Sequence, residues 1–233
     1  MVYAAVLAGG AGKRMLNSDM PKQFLPLGDK SIIERASEHF LVNPSVDSVF
    51  AAVPEGWESH AASLLRRDDA TGAPGIVIVR GGSDRTMSLM AVIEKIKELY
   101  GIQRGDIIIT HDAVRPFITQ RIINDNIKAC KESGAAATAY MLTDTPFISE
   151  NGATIQEIPP RSNYFLAQTP QTFNLGLLYE ICCSLTGDER AALTDAAKMF
   201  LMRNLSVRIV LGESYNIKIT TPFDYAVALT LIK

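Results

Sequence analysis

The stretch "VYAAVLAGGAGKRM" at residues 2–15 decides the fold, because an apolar run suited to a strand passes directly into a loop of small residues. The loop ends in two adjacent cations, Lys13 and Arg14. Small residues let the backbone approach a ligand closely, and open α/β sheets bind nucleotides just beyond the end of a parallel strand. The stretch therefore predicts an α/β fold with an anion site at its first turn.

Two familiar nucleotide loops do not fit these residues. A Walker loop would need glycine where Leu7 stands and Ser or Thr where Arg14 stands. A dinucleotide fingerprint that begins at Gly10 would need glycine in place of Met15. Taken alone, the loop could also be an ordinary tight turn between a strand and a helix.

Strand-like runs rich in β-branched residues alternate with helical patterns along the rest of the chain. A capping box at Ser31 and Glu34 indicates one helix, and Asp84 or Thr86 can cap another over 89–100. This alternation predicts a mostly parallel sheet with helices on both faces. The remaining predicted strands are 46–53, 75–79 and 106–110, and further helices are predicted near 175–185 and 194–203.

Between about 142 and 167 the helical pattern gives way to two β-capable runs around the turn signal Asn151-Gly152. The adjacent Pro159 and Pro160 would break a helix and resist pairing in a central strand. We interpret this segment as a β-arm that contacts a partner chain, carried by a single domain over 1–233.

Composition restricts the class of partner and the compartment. The 233 residues are 47% apolar and carry a formal net charge of −2, which gives no reason to expect binding to nucleic acid or an anionic membrane. The three cysteines show no C-x-x-C spacing, and there is no apolar run near 18 residues. We therefore expect a cytoplasmic protein of the reducing cytosol.

Two further motifs carry residues suited to phosphate chemistry. Lys22 precedes a new helix, where its ammonium could reach phosphates held by the first loop, although an isolated lysine is more often solvated. The apolar strand in "IIITHDAVRPF" (107–117) ends in Asp112 at the ligand edge, where a carboxylate suits Mg²⁺ or could cap a turn. Arg115 is expected to pair with a nearby carboxylate. His39, His60 and His111 lack metal-site spacing and receive no chemical role.

Six motifs together resemble one family of enzymes. "LAGGAGKRM", "PKQF", "GGSDRTMS", "HDAVRPF", "QTPQTF" and "NIKITTPFD" follow in the order found in cytidylyltransferases that act on methylerythritol phosphate or ribitol 5-phosphate, from residue 3 to about 228. The resemblance implies a Rossmann-like nucleotidyltransferase fold, homodimers formed through the β-arm, and the use of CTP with Mg²⁺.

The resemblance also implies roles for individual residues. Arg14 and Lys22 match the pair that stabilises the α-phosphorus, and Asp112 matches the Mg²⁺ ligand. Arg161 and Lys218 match the cations that position the acceptor phosphate, with Arg161 reaching the other subunit's site, and Thr145 and Thr169 add hydroxyl contacts. The residues implied for CTP are Leu7, Ala8, Gly9, Gly10, Gly82, Ser83, Asp84, Arg85, Thr86, Met87, Ser88 and Ala113.

The arm favours one acceptor. "DTPFIS" (144–149) and "IPPR" (158–161) are closer to the ribitol enzymes than to those for methylerythritol phosphate, so the prediction is transfer of CMP to ribitol 5-phosphate, giving CDP-ribitol and pyrophosphate. The alternative is the same reaction on 2-C-methyl-D-erythritol 4-phosphate in isoprenoid precursor synthesis. A related enzyme using UTP or GTP, and a non-catalytic nucleotide-binding scaffold, are further alternatives. A scaffold would be expected to lack Arg14, Lys22 or Asp112, and all three are present.

Overall fold

A computed structural model describes residues 1–9, 20–65, 75–193 and 195–232. The strands within these ranges are β1 (Val2–Leu7), β2 (Pro26–Leu27), β3 (Lys30–Ser31), β4 (Ser48–Val53), β5 (Val77–Arg80), β6 (Ile107–Asp112), β7 (Ala135–Met141), β8 (Phe165–Asn174) and β9 (Arg208–Leu211). The helices are α1 (Ile32–Leu41), α2 (Glu58–Leu64), α3 (Arg85–Tyr100), α4 (Gln120–Ser133), α5 (Leu175–Ser184), α6 (Gly187–Ala191), α7 (Ala196–Leu201) and α8 (Pro222–Leu231). Short 3-10 turns cover Lys22–Phe24 and Arg161–Asn163.

The main sheet of the described residues has seven strands in the order β5-β4-β1-β6-β8-β7-β9. Strands β5, β4, β1 and β6 are parallel neighbours, and β7 and β9 are also parallel. Strand β8 is antiparallel to both β6 and β7. The chain leaves β1 on one side towards β4 and returns on the other side as β6, which creates a switch point where open α/β sheets bind ligands. The predicted α/β fold with a mostly parallel sheet is confirmed.

Helices cover both faces of this sheet and bury it completely at β1. Alternate β1 residues pack into two clusters, one under α1, α2 and α4 and the other under α3, α5 and α7. All six residues of β1 are buried, which explains its unbroken apolar run. No helix in the described ranges is both long and apolar enough to cross a membrane.

The local signals for helix ends agree with the structure. Ser31 and Glu34 form the reciprocal capping box of α1, and Asp84, rather than Thr86, caps α3 by accepting a hydrogen bond from the Met87 N–H. Strand β6 continues two residues beyond the predicted end and includes Asp112. This extension matters because it places the Asp112 carboxylate at the carboxyl end of the strand, where open α/β sheets bind ligands.

The segment that precedes β8 is more irregular than the predicted hairpin. Ile148 and Glu157 form an isolated antiparallel bridge around the predicted turn. The arm was predicted to end at 167, whereas β8 begins at Phe165, so the last predicted arm residues belong to the sheet. Phe147, Ile155 and several neighbouring apolar side chains are more than half exposed, which leaves apolar surface on this segment.

Candidate active site

At the end of β6, two cations from distant motifs and one from the same motif surround a single carboxylate. Asp112 Oδ2 lies 2.8 Å from Lys218 Nζ and 4.0 Å from Arg115 Nε, and Asp112 Oδ1 lies 3.3 Å from Arg85 Nε. The predicted pairing of Arg115 with a nearby carboxylate is confirmed. We call Asp112, Lys218, Arg85 and Arg115 the Asp112 cluster.

The cations dominate the electrostatics of the Asp112 cluster. Burial by itself raises the pKa of the Asp112 carboxyl, but the charges of Arg85 and Lys218, followed by that of Arg115, hold this pKa well below its usual range. The carboxylate is therefore ionised near neutral pH and remains outnumbered by cations. Arg85 Nη2 is buried and has no hydrogen-bond partner among the described residues. Such a donor suits a phosphate oxygen.

The donor set around Asp112 fits a magnesium ion that arrives with a nucleotide. Mg²⁺ is commonly held by one or two carboxylates together with substrate phosphates. In the described part of the chain, no group of three His, Cys, Asp or Glu side chains could hold a metal by itself. Asp112 would therefore contribute one oxygen ligand, in exchange for its contact with Lys218.

Lys22 reaches the same edge from the "PKQF" motif. Its Nζ donates a hydrogen bond to the Ile219 carbonyl at 3.0 Å, next to Lys218 in the chain. The Ile219 N–H donates in turn to the Val114 carbonyl at 2.9 Å, two residues after Asp112. The motifs that carry Lys22, Lys218 and Asp112 are therefore linked by direct hydrogen bonds.

The start of the glycine-rich loop is held by hydrogen bonds. The Leu7 carbonyl accepts from the Ala113 N–H at 3.0 Å, and the Ala8 N–H donates to the Ala52 carbonyl at 2.8 Å. Gln23 Nε2 donates to the Ala8 carbonyl at 2.6 Å. These bonds fix the entry to the loop against β4, β6 and the 3-10 turn. Gly10 and Arg14 lie outside the described residues.

Two glycines are required by close packing beside this loop. A Cβ atom on Gly9 would lie 2.5 Å from Ser88 Oγ, and one on Gly82 would lie 2.8 Å from the backbone carbonyl carbon of Met87. Ser88 Oγ accepts from the Gly82 N–H at 3.1 Å and donates to the Asp84 carbonyl at 2.8 Å. The structure thus brings together the predicted base-pocket residues Gly9, Gly82 and Ser88. Ser83 and Thr86 flank the same turn into α3.

The predicted acceptor residues fall into two places. Lys218 lies on Asp112, whereas Arg161 donates from Nη1 to the Thr143 carbonyl at 2.9 Å within the arm. Thr145 is exposed in that arm. In the described part of the chain, Arg161 has no hydrogen bond or ion pair with the Asp112 cluster. Its role toward another subunit's site stays a prediction.

Comparison with known proteins identifies the family of this site. A family model described as IspD, 2-C-methyl-D-erythritol 4-phosphate cytidylyltransferase, matches residues 2–233. The chain belongs to this family. Members of the IspD family are cytidylyltransferases that use CTP, so the predicted enzyme class and nucleotide substrate are confirmed.

Solved structures of proteins with this description resemble the chain over nearly its whole length. A 4-diphosphocytidyl-2C-methyl-D-erythritol synthase from Anaerococcus prevotii has a TM-score of 0.81 and 25% identity, covering 99% of this chain and 95% of that chain. The 2-C-methyl-D-erythritol 4-phosphate cytidylyltransferase of Thermus thermophilus has a TM-score of 0.74 and 26% identity, covering 99% and 98%. That of Francisella tularensis has a TM-score of 0.77 and 29% identity, covering 97% of each chain.

A buried polar network behind Asp112 was not anticipated for this IspD family member. His111 and Asn216 are fully buried, and Asn216 links two parts of the site by accepting from Arg115 Nη1 at 2.7 Å and donating to the Thr169 carbonyl at 2.9 Å. Burial lowers the pKa of His111 to about 4, so the ring is neutral near pH 7. The available signal was a histidine between Thr110 and Asp112, directly after the apolar run that begins β6.

Proposed function

We propose that the protein transfers CMP from CTP to 2-C-methyl-D-erythritol 4-phosphate and releases pyrophosphate. The single observation that carries the chemistry is the Asp112 cluster, where cations surround one carboxylate at the ligand edge of the sheet. The acceptor is supported by the family description and by the names of the three similar structures. This choice replaces the preference for ribitol 5-phosphate that the arm motifs suggested.

The chemistry depends on charge and position rather than on a general base. The acceptor phosphate is already an anion near neutral pH, so its oxygen can attack the α-phosphorus of CTP directly. Two polyanions must then meet with the attacking and leaving oxygens in line. Lys22 and Arg14 are proposed to cover the α-phosphoryl oxygens. Asp112 would hold a magnesium ion, which would help to neutralise the charge that accumulates on the departing pyrophosphate.

Lys218 is suited to hold the acceptor phosphate. The Lys218 side chain is 44% exposed. Its ammonium can therefore turn from Asp112 Oδ2 towards a ligand without itself becoming a buried, unpaired charge. Arg85 Nη2 offers a second donor nearby. Together these donors would hold the phosphates of both substrates at the end of β6.

The arm is proposed to form a homodimer and to bring Arg161 to the neighbouring site. Exposed apolar side chains on this segment include Phe147, Ile155 and Ile158, and their burial against a second copy would remove apolar surface from water. The hydrogen bond from Arg161 to Thr143 keeps its guanidinium within this segment. A cytoplasmic location is supported by the three free cysteines.

Ribitol 5-phosphate is the second candidate acceptor. The observation that favours it is "IPPR" at 158–161, which carries the proposed acceptor cation Arg161 in a motif closer to that of the ribitol enzymes than to that of the methylerythritol phosphate enzymes. A difference in acceptor would be expressed in the segment that contacts the acceptor, so these residues bear on the choice.

Pyrophosphate release tests the proposal directly. Purified protein is incubated with each of the four nucleoside triphosphates and either acceptor, with Mg²⁺ or with EDTA. We expect release with CTP, 2-C-methyl-D-erythritol 4-phosphate and Mg²⁺, and loss of release in Lys218→Ala. Lys95→Ala, which removes a partly exposed lysine paired with Glu98 on α3, serves as the matched control and should retain activity. Faster release with ribitol 5-phosphate would select the second candidate, and no release with any CTP pair would contradict both.

A further inference from the structure

We propose that His111 is a positioning residue that holds Asp112 in its working orientation through the Thr169 hydroxyl. The inference rests on the proposed role of Asp112, and it assigns no contact between His111 and a substrate. The imidazole is fully buried and packs against Phe40 with ring centroids 5.2 Å apart. It therefore acts from behind the site, on the face of β6 covered by α1.

The hydrogen bonds of the ring assign its tautomer. Nε2 lies 2.9 Å from the Arg115 carbonyl, which can only accept, so Nε2 carries the proton. In the neutral ring, Nδ1 is then an acceptor, and it lies 3.1 Å from Thr169 Oγ1. The Thr169 hydroxyl must donate to Nδ1. The same Oγ1 accepts the Asp112 N–H at 3.1 Å.

These bonds clamp both ends of the turn that presents the carboxylate. His111 holds the Arg115 carbonyl at one end, and through Thr169 it holds the Asp112 N–H at the other. The Arg115 N–H closes the turn on the Asp112 carbonyl at 3.0 Å. Because Arg115 Nη1 donates to the Asn216 carbonyl, the turn is also tied to the segment that carries Lys218. Loss of the clamp would shift Asp112 relative to its cations.

The alternative is that His111 only fills space between β6 and α1. In that case, any loss of turnover on substitution would follow the loss of stability, because both would report the same packing defect. If His111 positions Asp112, the variants should rank differently in turnover than in stability. Removing a residue that orients a metal ligand through hydrogen bonds commonly lowers metal affinity or activity by about 10- to 100-fold.

Three substitutions of His111 separate these alternatives. His111→Phe keeps an aromatic ring against Phe40 and loses both hydrogen bonds. His111→Asn keeps an oxygen acceptor near the position of Nδ1, and His111→Gln keeps an amide donor near that of Nε2. We expect His111→Phe and His111→Gln to lower kcat by about 10- to 100-fold. His111→Asn should be the least stable of the three by thermal unfolding and yet turn over fastest. Turnover that ranks in the same order as the melting temperature would overturn the proposal.

Two measurements do not depend on turnover. In nitrogen-15 NMR, the His111 ring signals are identified as those that disappear in His111→Gln. These signals should show a protonated Nε2 and an unprotonated Nδ1. A protonated Nδ1 would overturn the proposal. CTP binding should weaken about 10-fold or more in His111→Phe with Mg²⁺ present and stay unchanged in EDTA. Equal CTP affinity of wild type and His111→Phe in the presence of Mg²⁺ would also overturn the proposal. A wild-type protein inactive on every acceptor would contradict the proposed function alone, because both measurements can still be made.

Discussion

Replacing Asp112 by Asn should destabilise the folded protein, because it leaves three cations facing one another. The substitution keeps the size of the side chain and removes the single negative charge of the Asp112 cluster. The cations differ in exposure, with side chains 11% exposed for Arg115, 29% for Arg85 and 44% for Lys218. The energetic cost therefore comes mainly from Arg115.

The magnitude follows from these exposures. Removing one partner of a fully buried ion pair costs about 3–5 kcal/mol, whereas an exposed pair contributes about 0–1 kcal/mol. Arg115 is nearly buried, but it lies 4.0 Å from Asp112 and keeps its hydrogen bonds to the Asn216 and Ala167 carbonyls. We therefore expect a loss of about 2 kcal/mol in the free energy of unfolding near pH 7. For a chain of this size, that lowers the melting temperature by about 4–8 °C.

The pH dependence gives a sharper test than the loss alone. The folded-state pKa of Asp112 is lower than that of an unfolded aspartate, so its contribution is fully present above the unfolded pKa of about 3.9 and is lost as the pH falls further. Urea unfolding of wild type and Asp112→Asn should therefore differ by a constant amount between about pH 5 and 8. The difference should shrink below about pH 4.

A matched control separates this effect from the loss of any carboxylate. Asp125→Asn removes an exposed partner of Arg121 on α4 and should change the free energy of unfolding by less than about 1 kcal/mol. Equal stability of Asp112→Asn and wild type at pH 7 would refute the reasoning. A difference that persists unchanged to pH 3 would refute it as well, because at that pH the unfolded chain binds a proton at Asp112 that the folded protein, with its lower pKa, does not bind.

Three further predictions concern single side chains. Lys22→Ala should lower turnover by about 10²- to 10³-fold with little change in urea unfolding, and near-normal turnover of the folded variant would remove Lys22 from the site. Arg161→Ala should raise the KM for the acceptor and leave the CTP dissociation constant unchanged; weaker CTP binding in a titration would contradict that role. A thiol reagent at neutral pH should label only the exposed Cys183 in the native protein, because burial raises the pKa of Cys130 to about 12 and that of Cys182 to about 11. Mass spectrometry that finds two labelled thiols would contradict this.

The strands flanking the first loop were predictable because their signals are local. The apolar runs of β1 and β6 and the capping box of α1 depend on neighbouring residues in the chain. Strand β8 was not predicted as part of the central sheet. Its sequence contains Pro170, and proline ordinarily argues against a central strand. The pairing of β7 with β8 shifts register between Ala137 and Ala139, opposite this proline, which accommodates the missing N–H.

The sequence by itself determined which residue types stand at the ligand edge. Small residues at the end of β1 and the carboxylate at the end of β6 follow from the order of residues. The parallel pairing that sets Leu7 level with Asp112 was decided by the tertiary structure. Only the tertiary structure decided that Lys218 and Arg85 surround that carboxylate and that His111 clamps the turn behind it. The reason is physical: ion pairs and buried hydrogen bonds form between side chains that packing brings together, and local propensity does not encode those distances.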